Sequence, residues 1–191
     1  MSPITLFNDW HKIELELNTL KFASACCLST IGLDGYPNAR FVSLKKIIED
    51  SFLIVGSLTS KKGLELQYCN KASLTFWFPF TQKQIRIQGD VHFVTNEEAD
   101  RCFQLRPREE QLIALVSEQS EEIYHPEILQ IKYSQAAVQF KKKPIPRPLS
   151  WGGFLLKPIR MEFFSFKNNG FPNRILFTKV QHLWETKILQ P

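Results

Sequence analysis

The residues with the most chemical potential in this chain are cationic. Ser60-Lys61-Lys62-Gly63 stands where a polar stretch gives way to a helical pattern. Free N–H groups at a helix start point outward and the helix dipole favours negative charge. Two adjacent lysines add charge that pairs with a phosphate. The motif also suits a capped surface helix with solvated lysines, and alone it leaves both readings open. Arg40-Phe41-Val42-Ser43-Leu44-Lys45 reads as strand, with Arg40, Val42 and Leu44 facing one way and Phe41, Ser43 and Lys45 the other. Basic groups at its two ends could meet a ligand or border an ordinary half-buried strand. Arg106-Pro107-Arg108 offers two guanidinium forks on a rigid turn, suited to carboxylate or phosphate. Trp151-Gly152-Gly153 sets a flat ring beside backbone that allows close approach of a planar ligand, or is a core Trp beside a turn.

Other chemistries lack their residues. There is no nucleophilic triad, Walker loop or GxGxxG. Cys26, Cys27, Cys69 and Cys102 form no CxxC pair and the four His are scattered, so no metal site is expected and the thiols should be reduced. Phe-rich strands with basic residues suggest nucleic-acid stacking, but most Phe fall on alternating core positions, so no nucleic-acid partner is expected.

The elements that must position these groups are mostly strands. Leu6, Trp10, Ile13, Leu17 and Leu20 recur at helical spacing, which predicts an amphipathic helix over 5–20 with Thr5 as N-cap. Phe22 to Thr30 reads as a strand, on which Cys26 and Cys27 point to opposite faces. Leu33 to Tyr36 supply a turn, and strands Arg40 to Ile48 and Phe52 to Val55 follow, joined by Glu49, Asp50 and Ser51. Ser60 is the expected cap of a short helix. Ala72 to Phe78 and Gln84 to Val94 are strands; in the second, Ile85, Ile87, Gly89 and Val91 alternate with Arg86, Gln88 and Asp90. Thr95 with Glu98 makes a capping box opening a helix to about Leu105, and Glu109 to Val116 and Glu127 to Phe140 are further helices. Lys141 to Pro148 is a basic, Pro-rich loop. Phe154 to Phe166, Arg174 to Lys179 and Leu183 to Leu189 read as closing strands.

The whole, 1–191, reads as one α+β domain, mainly antiparallel β, a small barrel-like sheet with peripheral helices. Its 191 residues are 43% hydrophobic, with 16 Phe and 4 Trp, enough for a core without staples. A net charge of +5 favours anionic partners such as phosphorylated cofactors, and also fits a solvated surface with spare lysines. The N-terminal MSPITLFNDWHK is no signal peptide, and no apolar run reaches the roughly 20 residues of a membrane span, so a cytoplasmic protein without membrane partner is expected.

Taken in order, these motifs resemble the pyridoxamine 5'-phosphate oxidase family. The likeness begins at Pro3 to Phe7 and runs through Asp34-Gly35-Tyr36-Pro37, Arg40 to Lys45, Ser60 to Gly63 and Gln84 to Gly89. It continues through Phe103 to Arg108, Ser117 to Ser120, Pro146-Arg147-Pro148 and Trp151 to Phe154, and ends at Glu162-Phe163 and Leu189-Gln190-Pro191. Single pieces are weak, but their shared order over nearly the whole chain is specific. The resemblance implies an FMN-binding split barrel that forms a homodimer with FMN between subunits. Arg40, Phe41, Val42, Ser43, Leu44 and Lys45 would lie along the flavin, Arg40 also reaching the phosphate. Lys61 and Lys62 would pair with that phosphate beside Ser60, and Gln84 would hydrogen-bond the flavin. Val55, Gly56, Gln119, Ser120, Trp151 and Arg174 would complete the cofactor contacts. Lys61 stands where the family has Arg, and Val55-Gly56 where it has Tyr-Thr.

The part of the resemblance that concerns a small-molecule substrate is altered. Where the family grips the substrate phosphate with Lys, Tyr, Arg and Ser, this chain has Lys45, Cys102, Arg106 and Glu110. The family's Arg-Leu-His is here Gly170-Phe171-Pro172. The resemblance therefore implies an FMN-dependent oxidase that handles pyridoxamine phosphate poorly. Pyridoxamine or pyridoxine 5'-phosphate remains the simplest substrate; another reduced ring, as in phenazine-pathway members, and an FMN protein without turnover are the alternatives.

Overall fold

The computed structural model describes residues 2–19, 24–167 and 170–191. Helix α1 (Pro3–Leu17) starts earlier than Thr5: Ser2 is the N-cap, its Oγ accepting from the Ile4 N–H at 3.2 Å. Pro3 has the φ and the missing N–H that a first helical turn tolerates, so the start moves to it. Leu20 and Phe22, placed by the sequence at a helix end and a strand start, lie outside the described residues. α1 buries Phe7 against Phe52 and Phe76, edge-on at 4.9 and 5.0 Å between centroids. Its buried Glu14 accepts from the N–H groups of Phe80 and Thr81 and from the Thr81 hydroxyl, tying the helix to a hairpin turn.

The strands are β1 (Ala25–Ile31), β2 (Pro37–Ser43), β3 (Lys46–Ile48), β4 (Ser51–Ser57), β5 (Lys71–Phe78), β6 (Lys83–Phe93), β7 (Trp151–Ser165), β8 (Asn173–Val180) and β9 (Leu183–Ile188). All pair antiparallel, in the order β2-β1-β5-β6-β7-β4-β3. The expected strand Arg40 to Ile48 is two strands. The Leu44 N–H still bonds the Ser24 carbonyl, but the next N–H, of Lys45, bonds Leu53, so the chain changes partner from β1 to β4 at that point. Glu49 and Asp50 turn the β3–β4 hairpin with φ of 45° and 64°, the left-handed pair a two-residue hairpin requires.

The split lies at β7. One edge pairs with β6 throughout; the other pairs with β4 through its first half and with β8 through its second. The β6–β7 register shifts between Gln88 and Gly89, where a Cβ on Gly89 would collide with the Lys157 carbonyl. Glycine there permits the bulge that bends the sheet. The inner face holds the core, including Phe7, Phe52, Phe76, Phe78, Phe154 and Phe163.

Helix α2 (Lys61–Tyr68) follows β4, and α3 (Asn96–Gln104), α4 (Arg108–Val116) and α5 (Glu127–Gln139) lie between β6 and β7. Thr95 caps α3 as its spacing implies, accepting from the Glu98 N–H at 3.3 Å. A second core of Phe103, Leu112, Ala136, Ile145 and Trp151 packs α3, α4 and α5 on the start of β7. Among the described residues no helix is long and apolar enough to cross a membrane.

Candidate functional site

A cleft of about 920 Å³ opens between the edge strand β2, the end of β4, the start of α2 and the face of α4. That is the size of a small-molecule site, roughly 300–1,000 Å³. Arg40, Phe41, Val42, Ser43, Lys45, Val55, Gly56, Ser60, Lys61, Lys62, Arg106, Gln119, Ser120 and Trp151 all line it, from six separate stretches of sequence. Because β2 is an edge strand, side chains from both of its faces border the opening.

The start of α2 is the cationic end. Gly63 packs so tightly on the Leu58 backbone that a Cβ would overlap it, which pins the helix to the end of β4. Ser60 occupies the N-cap position, but its side chain makes no capping bond. Its hydroxyl instead donates to the Ser57 carbonyl at 2.7 Å and accepts from Lys62 Nζ at 3.0 Å, because the lysine folds back over the helix start. Lys62 is only 8% exposed and also donates to Gln119 Oε1 at 2.8 Å. Burial, helped by the nearby Arg40 charge, lowers its pKa to about 8. The Lys61 N–H donates to Ser120 Oγ at 3.2 Å. Ser120 holds φ at 82°, a left-handed conformation of the kind that concentrates at ligand sites.

Arg40 does not extend freely toward this end. Its guanidinium bonds Glu65 at 2.7 Å and also the Thr30 hydroxyl, while Thr30 and Asn38 each donate to Glu65 at 2.6 Å. Glu65 is fully buried, so one carboxylate joins β1, β2 and α2. Sequence reasoning missed Glu65, although a helix starting at Lys61 puts Lys62, Glu65 and Leu66 on one face at i, i+3, i+4 spacing.

The other side of the cleft is α4, where Glu110, Ile113, Ala114 and Ser117 face inward at helical spacing. Arg106 lies 5.2 Å over the Trp151 ring, and its NH2 pairs with Glu110 Oε2 at 3.1 Å. Burial lowers the Arg106 pKa while Glu110 opposes that shift, and the Arg106 Nε is buried without a partner. Trp151 is both readings at once: it packs edge-on against Phe103 in the second core and borders the cleft.

Four sequence-derived candidates fall elsewhere. Leu44 turns into the main core, 7% exposed, because the chain changes strand partner there. Cys102 packs against the second core and is not part of the cleft lining; burial and the adjacent Glu98, 3.6 Å from its sulfur, raise its pKa. Gln84 and Arg174 are both cross-strand partners of Phe164, so they share the outer sheet face away from the core. There Arg174 forks onto Glu162 at 3.1 and 3.2 Å. The cross-strand row Phe41, Cys27, Thr75, Arg86 and Glu162 puts Phe41 on this same face, which also exposes Trp77.

An antiparallel barrel split along one strand, with a cationic cleft at its open edge, defines a split-barrel protein. A family model described as pyridoxamine 5'-phosphate oxidase matches residues 16–140, and one described as the pyridoxine 5'-phosphate oxidase C-terminal dimerisation region matches 151–191. The chain belongs to the pyridoxamine 5'-phosphate oxidase family. A relative from Leptospira biflexa named pyridoxine/pyridoxamine 5'-phosphate oxidase is 35% identical over 189 residues, 99% of this chain and 89% of the relative. One of the same name from Flavobacterium johnsoniae is 36% identical over 177 residues, 92% and 82% of the two chains. Among solved structures, PhzG from Burkholderia lata 383, in complex with tetrahydrophenazine-1-carboxylic acid, matches with a TM-score of 0.92 at 26% identity, covering 100% of this chain and 93% of that one. A pyridoxamine 5'-phosphate oxidase-related, FMN binding protein from Nostoc punctiforme shares the fold, with a TM-score of 0.82 at 16% identity over 100% and 98% of the chains.

Proposed function

We propose that this protein is an FMN-dependent oxidoreductase of the oxidase type, working as a homodimer with FMN in the cleft. The observation that carries the reading is Lys62, an ammonium only 8% exposed at the cleft, held by Ser60 Oγ and Gln119 Oε1, whose pKa burial and then the Arg40 charge lower to about 8. The donor set around it suits a phosphate: the Lys61 and Lys62 side chains, the N–H of Lys61 at a helix start, and the polar ends of Ser60, Gln119 and Ser120. Arg40 to Ser43, Lys45 and Val55-Gly56 would flank the ring, with Trp151 at the cleft wall. Gln84 and Arg174 lie on the outer sheet face, outside the cleft lining, and would act on the cofactor of a second subunit docked there. The C-terminal dimerisation region and the exposed Phe41 and Trp77 support that arrangement. Bound FMN supplies two-electron redox chemistry, with the substrate as hydride donor and dioxygen as final acceptor. The chain's own part is to hold the nucleotide, orient the substrate and exclude water.

Pyridoxamine or pyridoxine 5'-phosphate is the substrate that the relatives' names support. A second reading, oxidation of another reduced ring, is favoured by Glu110 paired to Arg106 and by Gly170 and Pro172, and by the likeness to a protein holding tetrahydrophenazine-1-carboxylic acid. The test starts with colour: purified protein should carry, or take up, flavin absorbance near one FMN per chain. FMN-loaded protein assayed for peroxide with pyridoxine phosphate should turn over slowly. Combined Glu110→Ser, Gly170→Arg and Pro172→His should raise that rate if the second reading holds. Colourless protein that refuses micromolar FMN overturns the proposal, and FMN-loaded protein that turns over neither vitamer nor other reduced ring leaves a flavin carrier instead.

A further inference from the structure

Resting on the FMN cleft and on the second of the two substrate readings, we infer that Glu110 sets the charge of the substrate's handle: the cleft takes a flat ring carrying one negative charge, such as a carboxylate, and rejects a phosphate dianion. The inward face of α4 runs from Glu110 to Ser117, seven residues or about 10 Å of helix. Beyond Ser117, Gln119 and Ser120 touch the lysines of the cationic end. The Arg106–Glu110 pair is therefore about a helix length away from the nucleotide phosphate anchor, where a second ligand has room.

The charges there count differently from those of a phosphate site. Lys45 and Arg106 border the cleft as cations, and Glu110 borders it as an anion, so the three sum to a single positive charge. Arg106 is held in place by its stacking over Trp151 and by Glu110, which takes up one of its terminal nitrogens. A dianion would be left half uncompensated and set against the Glu110 carboxylate. A monoanion would be matched by that single net positive charge. The flat wall that Trp151 and Arg106 make suits an aromatic ring.

The experiment uses two probes with one ring and different handles, 1-naphthoate and 1-naphthyl phosphate. Each is titrated calorimetrically into FMN-loaded protein near pH 7.5, where the phosphate, with a second pKa near 6, is a dianion. FMN content is read first from visible absorbance, so that loss of the cofactor reading is seen separately. Wild-type protein should bind naphthoate at least tenfold more tightly than the phosphate ester. Glu110→Gln, which keeps the shape and removes the charge, should reverse the order by strengthening phosphate binding about tenfold or more. A conservative Glu110→Asp change should keep the wild-type preference. FMN-loaded wild type that binds the phosphate ester as well as naphthoate, or binds neither, overturns the inference, as does a Glu110→Gln preference equal to wild type.

Discussion

Replacing Lys62 with Met should move two measurements in opposite directions. The ammonium is nearly buried and its pKa falls from 10.5 to about 8. At 1.36 kcal/mol per unit, holding that charge in the folded, flavin-free protein costs about 3 kcal/mol, less whatever the bonds to Ser60 and Gln119 return. Met fills the same space without the charge, so the flavin-free protein should gain stability, by about 1–2 kcal/mol in urea unfolding. FMN binding should weaken, because a charge-assisted hydrogen bond to a phosphate is worth about 1.5–3 kcal/mol, or roughly 10- to 150-fold in Kd. The pH profile follows from the same numbers. The folded pKa lies below the unfolded one, so the destabilisation is full below pH 8 and fades as pH rises toward 10.5. Over that range Lys62 loses its proton, and wild-type FMN affinity should fall by up to tenfold per pH unit, while the Met variant stays flat. Fluorescence quenching of FMN on binding reads the affinity. A Met variant that binds FMN within twofold of wild type, or a wild-type profile as flat as the variant's, refutes the reasoning.

Glu65→Gln should lower stability by about 2 kcal/mol, since it leaves the Arg40 guanidinium without its carboxylate in a largely enclosed network; denaturant unfolding reads this, and an unchanged midpoint counts against it. Ser120→Gly should be more stable than Ser120→Ala by about 1 kcal/mol, because only glycine takes φ of 82° without strain, while both weaken FMN binding by losing the hydroxyl. Trp77→Glu should give a monomer by light scattering and loosen FMN, because it puts a charge on the outer sheet face; a dimer of wild-type affinity would remove that face from the interface.

Much of the sheet was legible because alternation along β5 and β6 is clean, and the Thr95 cap and the Ser60 helix start are local signals. The break at Leu44 was not, since an unbroken run of apolar and basic residues carries no sign of which strand each half will pair with. That choice is made by β4, and it sends Leu44 inward while its neighbours Ser43 and Lys45 border the cleft. The cationic motif was visible as a charge cluster; that Lys62 folds back and is buried was not, because one of its two hydrogen-bond partners, Gln119, comes from a segment far along the chain. Whether Glu110 entered the site depended on the phase of α4, which the spacing of Ile113, Ala114 and Ser117 fixes only once a wall is known. Gln84 and Arg174 illustrate a different limit: they neighbour one another through Phe164, but a single chain's sequence says nothing of what lies against that face.

The buried Glu65 also makes the protein a ruler. By clasping Arg40, Thr30 and Asn38 from the helix that presents Lys61 and Lys62, it fixes the span between those lysines and the strand bordering the opening. That spacing belongs to the scaffold and cannot stretch to suit a guest. With FMN held as proposed, a flavin lacking the terminal phosphate would leave Lys61 and Lys62 without an anion to pair.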